Sequence, residues 1–107
     1  MVEDENEWPG TAASIATSTL RAYRSDWRIF ADWCARYGVA SLPASANLMV
    51  AFVKAEAESG INPKTIRRRI AAIGYFHRLA KQVMPIGALE RGYLAGILAS
   101  YDRLGNR

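Results

Sequence analysis

The sequence holds one cysteine, Cys34, and one histidine, His77, and these two scarcities close several lines of chemistry at once. A single thiol forms no intrachain disulfide, so the fold must hold by packing, as is usual in a reducing compartment. One Cys with one His falls short of the usual zinc ligand sets, and no cofactor is expected. Apolar runs are short as well: none approaches the roughly 18 residues of a membrane span. The acidic start lacks the basic region of a secretion signal, so the expectation is a soluble cytoplasmic protein with no membrane partner. Glycine-rich phosphate loops and a Ser-His-Asp arrangement are also missing, and no active site can be assembled from what remains.

What is present is apolar surface and basic charge. Half of the 107 residues are hydrophobic and 22% are charged, enough burial to offset chain entropy within one domain. Fourteen Lys and Arg stand against ten Asp and Glu, a net charge of +4. Four of the acids fall between Met1 and Glu7, and without them fourteen bases face six acids, or +8. Such an excess suits a polyanionic partner, although it also serves solubility alone.

Residues 1–17 begin with acids and a Pro-Gly pair and lack hydrophobic period, so they read as a flexible leader, with an extra short helix before Ser18 left open. A first helix is expected over about Thr19 to Tyr37, where Leu20, Tyr23, Trp27, Phe30, Cys34 and Tyr37 recur at three- and four-residue steps. Ser18 or Thr19 is its expected N-cap and Gly38 its left-handed terminator. A second helix, about Ala46 to Glu58, is capped by Ser45 and closed by Gly60; Leu48, Met49, Phe52 and Val53 form its buried side. Asn62 and Pro63 open a third, about Pro63 to Gln82, with Ile66, Ile70, Ile73, Phe76, His77 and Ala80 on one stripe. A fourth, about Leu89 to Tyr101, offers Leu89, Tyr93, Leu94, Ile97 and Leu98. The fold class is all-α, a small orthogonal bundle of about four helices, with a domain over residues 18–102 and a linker starting in 103–107.

On a helical wheel, Lys64, Arg67, Arg68, Ala71, Tyr75 and Arg78 fall opposite the isoleucines of the third helix. Cations can replace the counterions condensed on a nucleic-acid backbone, and a small residue such as Ala71 lets a helix axis approach a groove floor. Free amides at Lys64 and Thr65 would add an anion site at the helix start. The outer side of the first helix carries Arg21, Ser25 and Arg28, with Arg24 at its flank, while Asp32, Glu56 and Glu58 lie at helix ends. A solvated charged face would carry the same residues. His77 and Cys34 fall on apolar stripes and read as packed core, and Asp26 with Asp32 forms no convincing carboxylate pair.

The run Ser18-Thr19-Leu20-Arg21-Ala22-Tyr23, the segment Phe30-Ala31-Asp32-Trp33-Cys34, Leu42-Pro43-Ala44, and Asn62-Pro63-Lys64-Thr65-Ile66 through Ile70, Ile73 and Phe76-His77-Arg78 together resemble the N-terminal core-binding domain of tyrosine recombinases of the phage-integrase family, most of all its Cre-like members. The resemblance spans about Ser18 to Tyr101 and implies a SAM-like bundle gripping one side of a recombination half-site on double-stranded DNA, while a separate catalytic domain closes over the other. By position it implies DNA contacts from Ser18, Thr19, Arg21, Ala22 and Ser25, and from Lys64, Thr65 and Arg68. Arg28 and Arg67 join them from the wheel alone, as phosphate contacts.

The family's catalytic arginines, lysine, His-x-x-Arg element and nucleophilic tyrosine belong to that other domain. Here His77 is followed by Arg78-Leu79-Ala80, so the spacing fails, and the chain by itself is expected to bind DNA rather than cut it. The implied setting is a bacterial cytoplasm, with other recombinase protomers as partners on DNA. Two departures stand out: the leader is short and acidic, which bears on the N-terminal helix that Cre-like proteins use between protomers, and Leu98-Ala99-Ser100 stands where the family is often basic, which argues against a DNA contact from the fourth helix. A helix-turn-helix regulator built around Ser59-Gly60-Ile61, or a SAM-like protein-interaction bundle, are the alternative readings.

Overall fold

The computed structural model describes residues 15–105, apart from the side chains of 88–90 and 102–105. Four helices make up the regular structure of that stretch and no strand occurs in it: α1 (Thr17–Arg36), α2 (Ala46–Glu58), α3 (Pro63–Leu79) and α4 (Ala88–Gly105). Most of the expected leader, residues 1–14, lies outside the described residues, as do 106 and 107 of the expected linker.

Local chemistry sets most boundaries. The Ser45 side chain accepts the amide of Leu48 at 3.1 Å, and Asn62 Oδ1 accepts that of Lys64 at 2.8 Å, with Pro63 at the first helical position. After α2, Gly60 turns left-handed at φ 86°, and the amide of Ile61 reaches back to the Glu56 carbonyl. That arrangement satisfies carbonyls the helix end would otherwise leave open. Gly38 does the same for α1 at φ 66°.

Three boundaries differ from the sequence reading. The N-cap of α1 is Ala16, with no side-chain cap bond, so Ser18 and Thr19 are inside the helix rather than capping it. The third helix stops at Leu79, not near Gln82, because Lys81 adopts φ 58° and the amide of Gln82 bonds the His77 carbonyl at 2.8 Å. In the other direction, α4 continues past Tyr101 to Gly105.

The core draws on every element: Phe30 and Cys34 of α1, Met49, Phe52 and Val53 of α2, Ile66 and Ile73 of α3, Ile86 of the following loop, and Leu94 and Leu98 of α4. Phe30 meets Phe52 edge-on at 5.0 Å between centroids, and Trp33 closes on Phe52 at 5.3 Å. Such pairs contribute about 0.5–1.5 kcal/mol each beyond their burial. Tyr37 and Tyr93, expected inside, are exposed; Tyr37 stands just past the end of α1, with its ring 5.1 Å from that of Trp33.

α1 and α3 share the most extensive helix contact in the bundle. α3 is therefore enclosed on more than its isoleucine stripe. Tyr75 lies opposite those isoleucines on the wheel yet is buried, because it packs against Tyr23 of α1 at 5.6 Å. Gly74 is covered by Met84, whose Cε lies 2.8 Å from where a Cβ would stand. The solvent strip of α3 is thus narrower than a wheel implies: Lys64, Arg67, Arg68, Ala71 and Arg78.

Candidate nucleic-acid interface

The packing of α1 on α3 places side by side the two helices that carry the outward cations. On α1, Ser18, Arg21, Ser25 and Arg28 are exposed, and Thr19 and Ala22 are half-buried at the flank. On α3, Lys64, Arg67 and Arg68 are exposed and Thr65 is half-buried. All ten sequence-derived positions are thus at or near the surface, Thr19, Ala22 and Thr65 the least open of them. Among the described residues no carboxylate pairs with Arg21, Arg28, Lys64, Arg67 or Arg78. Unpaired surface cations keep their full charge for an external anion.

The helix start expected to bind an anion is less open than foreseen. The Lys64 amide is donated to Asn62 Oδ1, so only part of the N-terminal donor set of α3 faces outward.

Arg68 differs from the other cations. Its Nε donates to Asp26 Oδ2 at 2.7 Å and its Nη2 to Oδ1 at 2.9 Å, a two-point grip across the α1–α3 seam. Asp26 is fully buried, whereas the Arg68 side chain is 45% exposed. The bond to Asp26 pushes the Arg68 guanidinium still further into its charged form. Asp26 Oδ1 also accepts Arg69 Nε at 3.3 Å, and Arg69 reaches on to Glu56 of α2 through a hydrogen-bonded ion pair. Three helices are therefore joined by two acids and two arginines, with no unpartnered polar side-chain atom buried among the described residues.

Sequence reasoning missed this network. Its signal lay in the spacing: Asp26 precedes buried Phe30 by four residues, Arg69 precedes Ile73 by four, and Glu56 follows Phe52 by four. A charge in phase with the core stripe has no cheap place in a bundle unless it meets an opposite charge, and here three such residues meet. Glu56, read as a helix-end acid, and Asp26, read only as making no convincing pair with Asp32, are both structural partners.

The remaining titratable candidates are packing residues. The His77 ring is buried, with Nε2 accepting the Ala44 amide at 2.9 Å and Nδ1 facing the Ile73 carbonyl at 2.8 Å. Cys34 is buried, which pushes its thiol up from the ordinary value. Among the described residues no group of His, Cys, Asp and Glu is arranged to hold a metal, and no helix is long and apolar enough to cross a membrane.

The model of the phage integrase N-terminal SAM-like domain matches residues 11–83, about two thirds of the chain and all of α1, α2 and α3. The chain belongs to that family. An integrase/recombinase xerD homolog of Selenomonas ruminantium is 41% identical to this SAM-like domain over 64 residues, which are 60% of the chain and 18% of the relative. The chain thus matches under a fifth of that relative's length. No solved structure matches it. Both basic helices fall inside the matched stretch, and α4 falls outside it.

Proposed function

We propose that this domain grips duplex DNA through the outer faces of α1 and α3, as the core-binding part of a site-specific tyrosine recombinase whose cutting residues lie in another domain. The observation that carries this reading is the close packing of the two cation-bearing helices, with Arg21, Arg28, Lys64, Arg67 and Arg78 free of carboxylate partners among the described residues. Membership of the integrase domain family supports it.

In this reading the free cations neutralise phosphates, and the hydroxyls of Ser18, Thr19, Ser25 and Thr65 donate to the backbone between them. Ala22 and Ala71 keep the helix surfaces low where they face the groove. Binding by one domain is weak and falls steeply with salt, since each neutralised phosphate contributes about 0.9 to the logarithmic salt slope. Other recombinase protomers on the same DNA are the further partners.

Fluorescence anisotropy of the whole chain on a labelled duplex at two salt concentrations tests the reading. Arg21→Ala and Arg67→Ala should each weaken binding and flatten the slope by about one. Both variants binding as the parent does, or a parent that does not bind duplex at all, contradicts it.

A further inference from the structure

The proposed grip treats the cations alike, but their surroundings divide them. Building on that DNA grip, we infer that Asp26 is a positioning residue that turns Arg68 from a phosphate contact into a reader of guanine, leaving the phosphate grip to the unpaired cations. Asp26 holds the Nε and Nη2 side of the guanidinium by two bonds and is itself tied through Arg69 to Glu56 on α2. The guanidinium cannot turn without breaking both bonds. What remains free is the end of the fork, Nη1 and the second hydrogen of Nη2, on a side chain that is 45% exposed.

Those two parallel donors match O6 and N7 on the major-groove edge of guanine, the pair that an arginine reads bidentately. A planar fork fixed in advance gives up little freedom on contact. The charge points the same way. Asp26 offsets the charge of Arg68, so Arg68 releases few counterions, whereas Arg21, Arg28, Lys64 and Arg67 have no such offset among the described residues. Arg68 should therefore supply sequence preference with little salt dependence, and its neighbours the reverse.

The test is selection of bound sites from a duplex library with a randomised centre, using the whole chain, alongside salt titrations on the unselected library. The parent should enrich a site with one guanine position. Arg68→Lys keeps the charge and loses the fork; preference at that position should fall about ten-fold or more while the salt slope stays unchanged. Asp26→Asn should lose the same preference and steepen the slope by about one, because the charge of Arg68 is unmasked. A circular dichroism spectrum shows whether Asp26→Asn keeps its helices, and if it does not, Arg68→Lys decides alone. Arg68→Lys retaining the guanine preference, or a folded Asp26→Asn retaining it, overturns the inference. A parent that binds with a salt slope yet selects no guanine overturns it too, and leaves the DNA grip standing. A parent that binds no duplex removes both.

Discussion

Ala44 donates its amide proton to Nε2 of His77 across 33 residues of sequence, at 2.9 Å. The amide can only donate, so Nε2 must accept and the ring proton must sit on Nδ1, where it meets the Ile73 carbonyl. The loop after α1 is thereby pinned to the last turn of α3. The ring also lies edge-on to Trp27 at 5.9 Å, which sets it in the same seam as the basic helices.

His77→Leu keeps a similar volume but leaves the Ala44 amide buried and unpaired. The expected loss is about 1–3 kcal/mol of unfolding free energy by urea titration. Arg78→Ala, one residue on and exposed, should stay within about 0.5 kcal/mol. Equal midpoints for the two variants would mean the bond to Ala44 contributes nothing.

The caps separate cleanly. Asn62→Ala removes the acceptor for the Lys64 amide and should cost about 1 kcal/mol, and Ser45→Ala a similar amount. Ser18→Ala should change thermal stability little, about 0.5 kcal/mol or less, because Ser18 caps nothing. A Ser18→Ala loss as large as that of Asn62→Ala would return the first cap to Ser18.

Burial raises the Cys34 thiol above its ordinary value of 9.0, so the folded state holds that proton to higher pH than the unfolded chain does. The contribution to stability is therefore complete below the unfolded value and is lost as pH rises through the folded one. Unfolding free energy should decline as pH climbs above the ordinary thiol range, and Cys34→Ala should remove that part of the slope while lowering stability at every pH. The same burial predicts slow reaction with thiol reagents in the native state. Rapid labelling of the folded protein would contradict it.

The sequence was most legible where local chemistry decides. Asn62 with Pro63, Ser45, Gly38 and Gly60 each fix a helix end by capping or left-handed geometry, and all four ends form as expected. His77 fell on the apolar stripe and is in the core. What one helix's pattern could not show is which neighbour covers its flanks. Tyr75 is outward on an isolated wheel and inward once α1 is present, and the Asp26 network exists only when three helices meet. The end of α3 escaped for a different reason: Lys81 takes a left-handed turn that sequence usually reserves for glycine or asparagine. The ten proposed contact positions were readable as surface, and Arg68 with Arg21 and Lys64 as a candidate for base reading, but the bond that holds Arg68 was not, since it comes from Asp26, 42 positions away.

Which surface meets DNA is tested most directly by amide chemical-shift mapping of the whole chain during titration with a short duplex. Shifts should concentrate on the outer residues of α1 from Ser18 to Arg28 and on α3 from Lys64 to Ala71, and weaken together as salt is raised. Shifts confined to α4, or none on α3, would contradict a grip through α1 and α3.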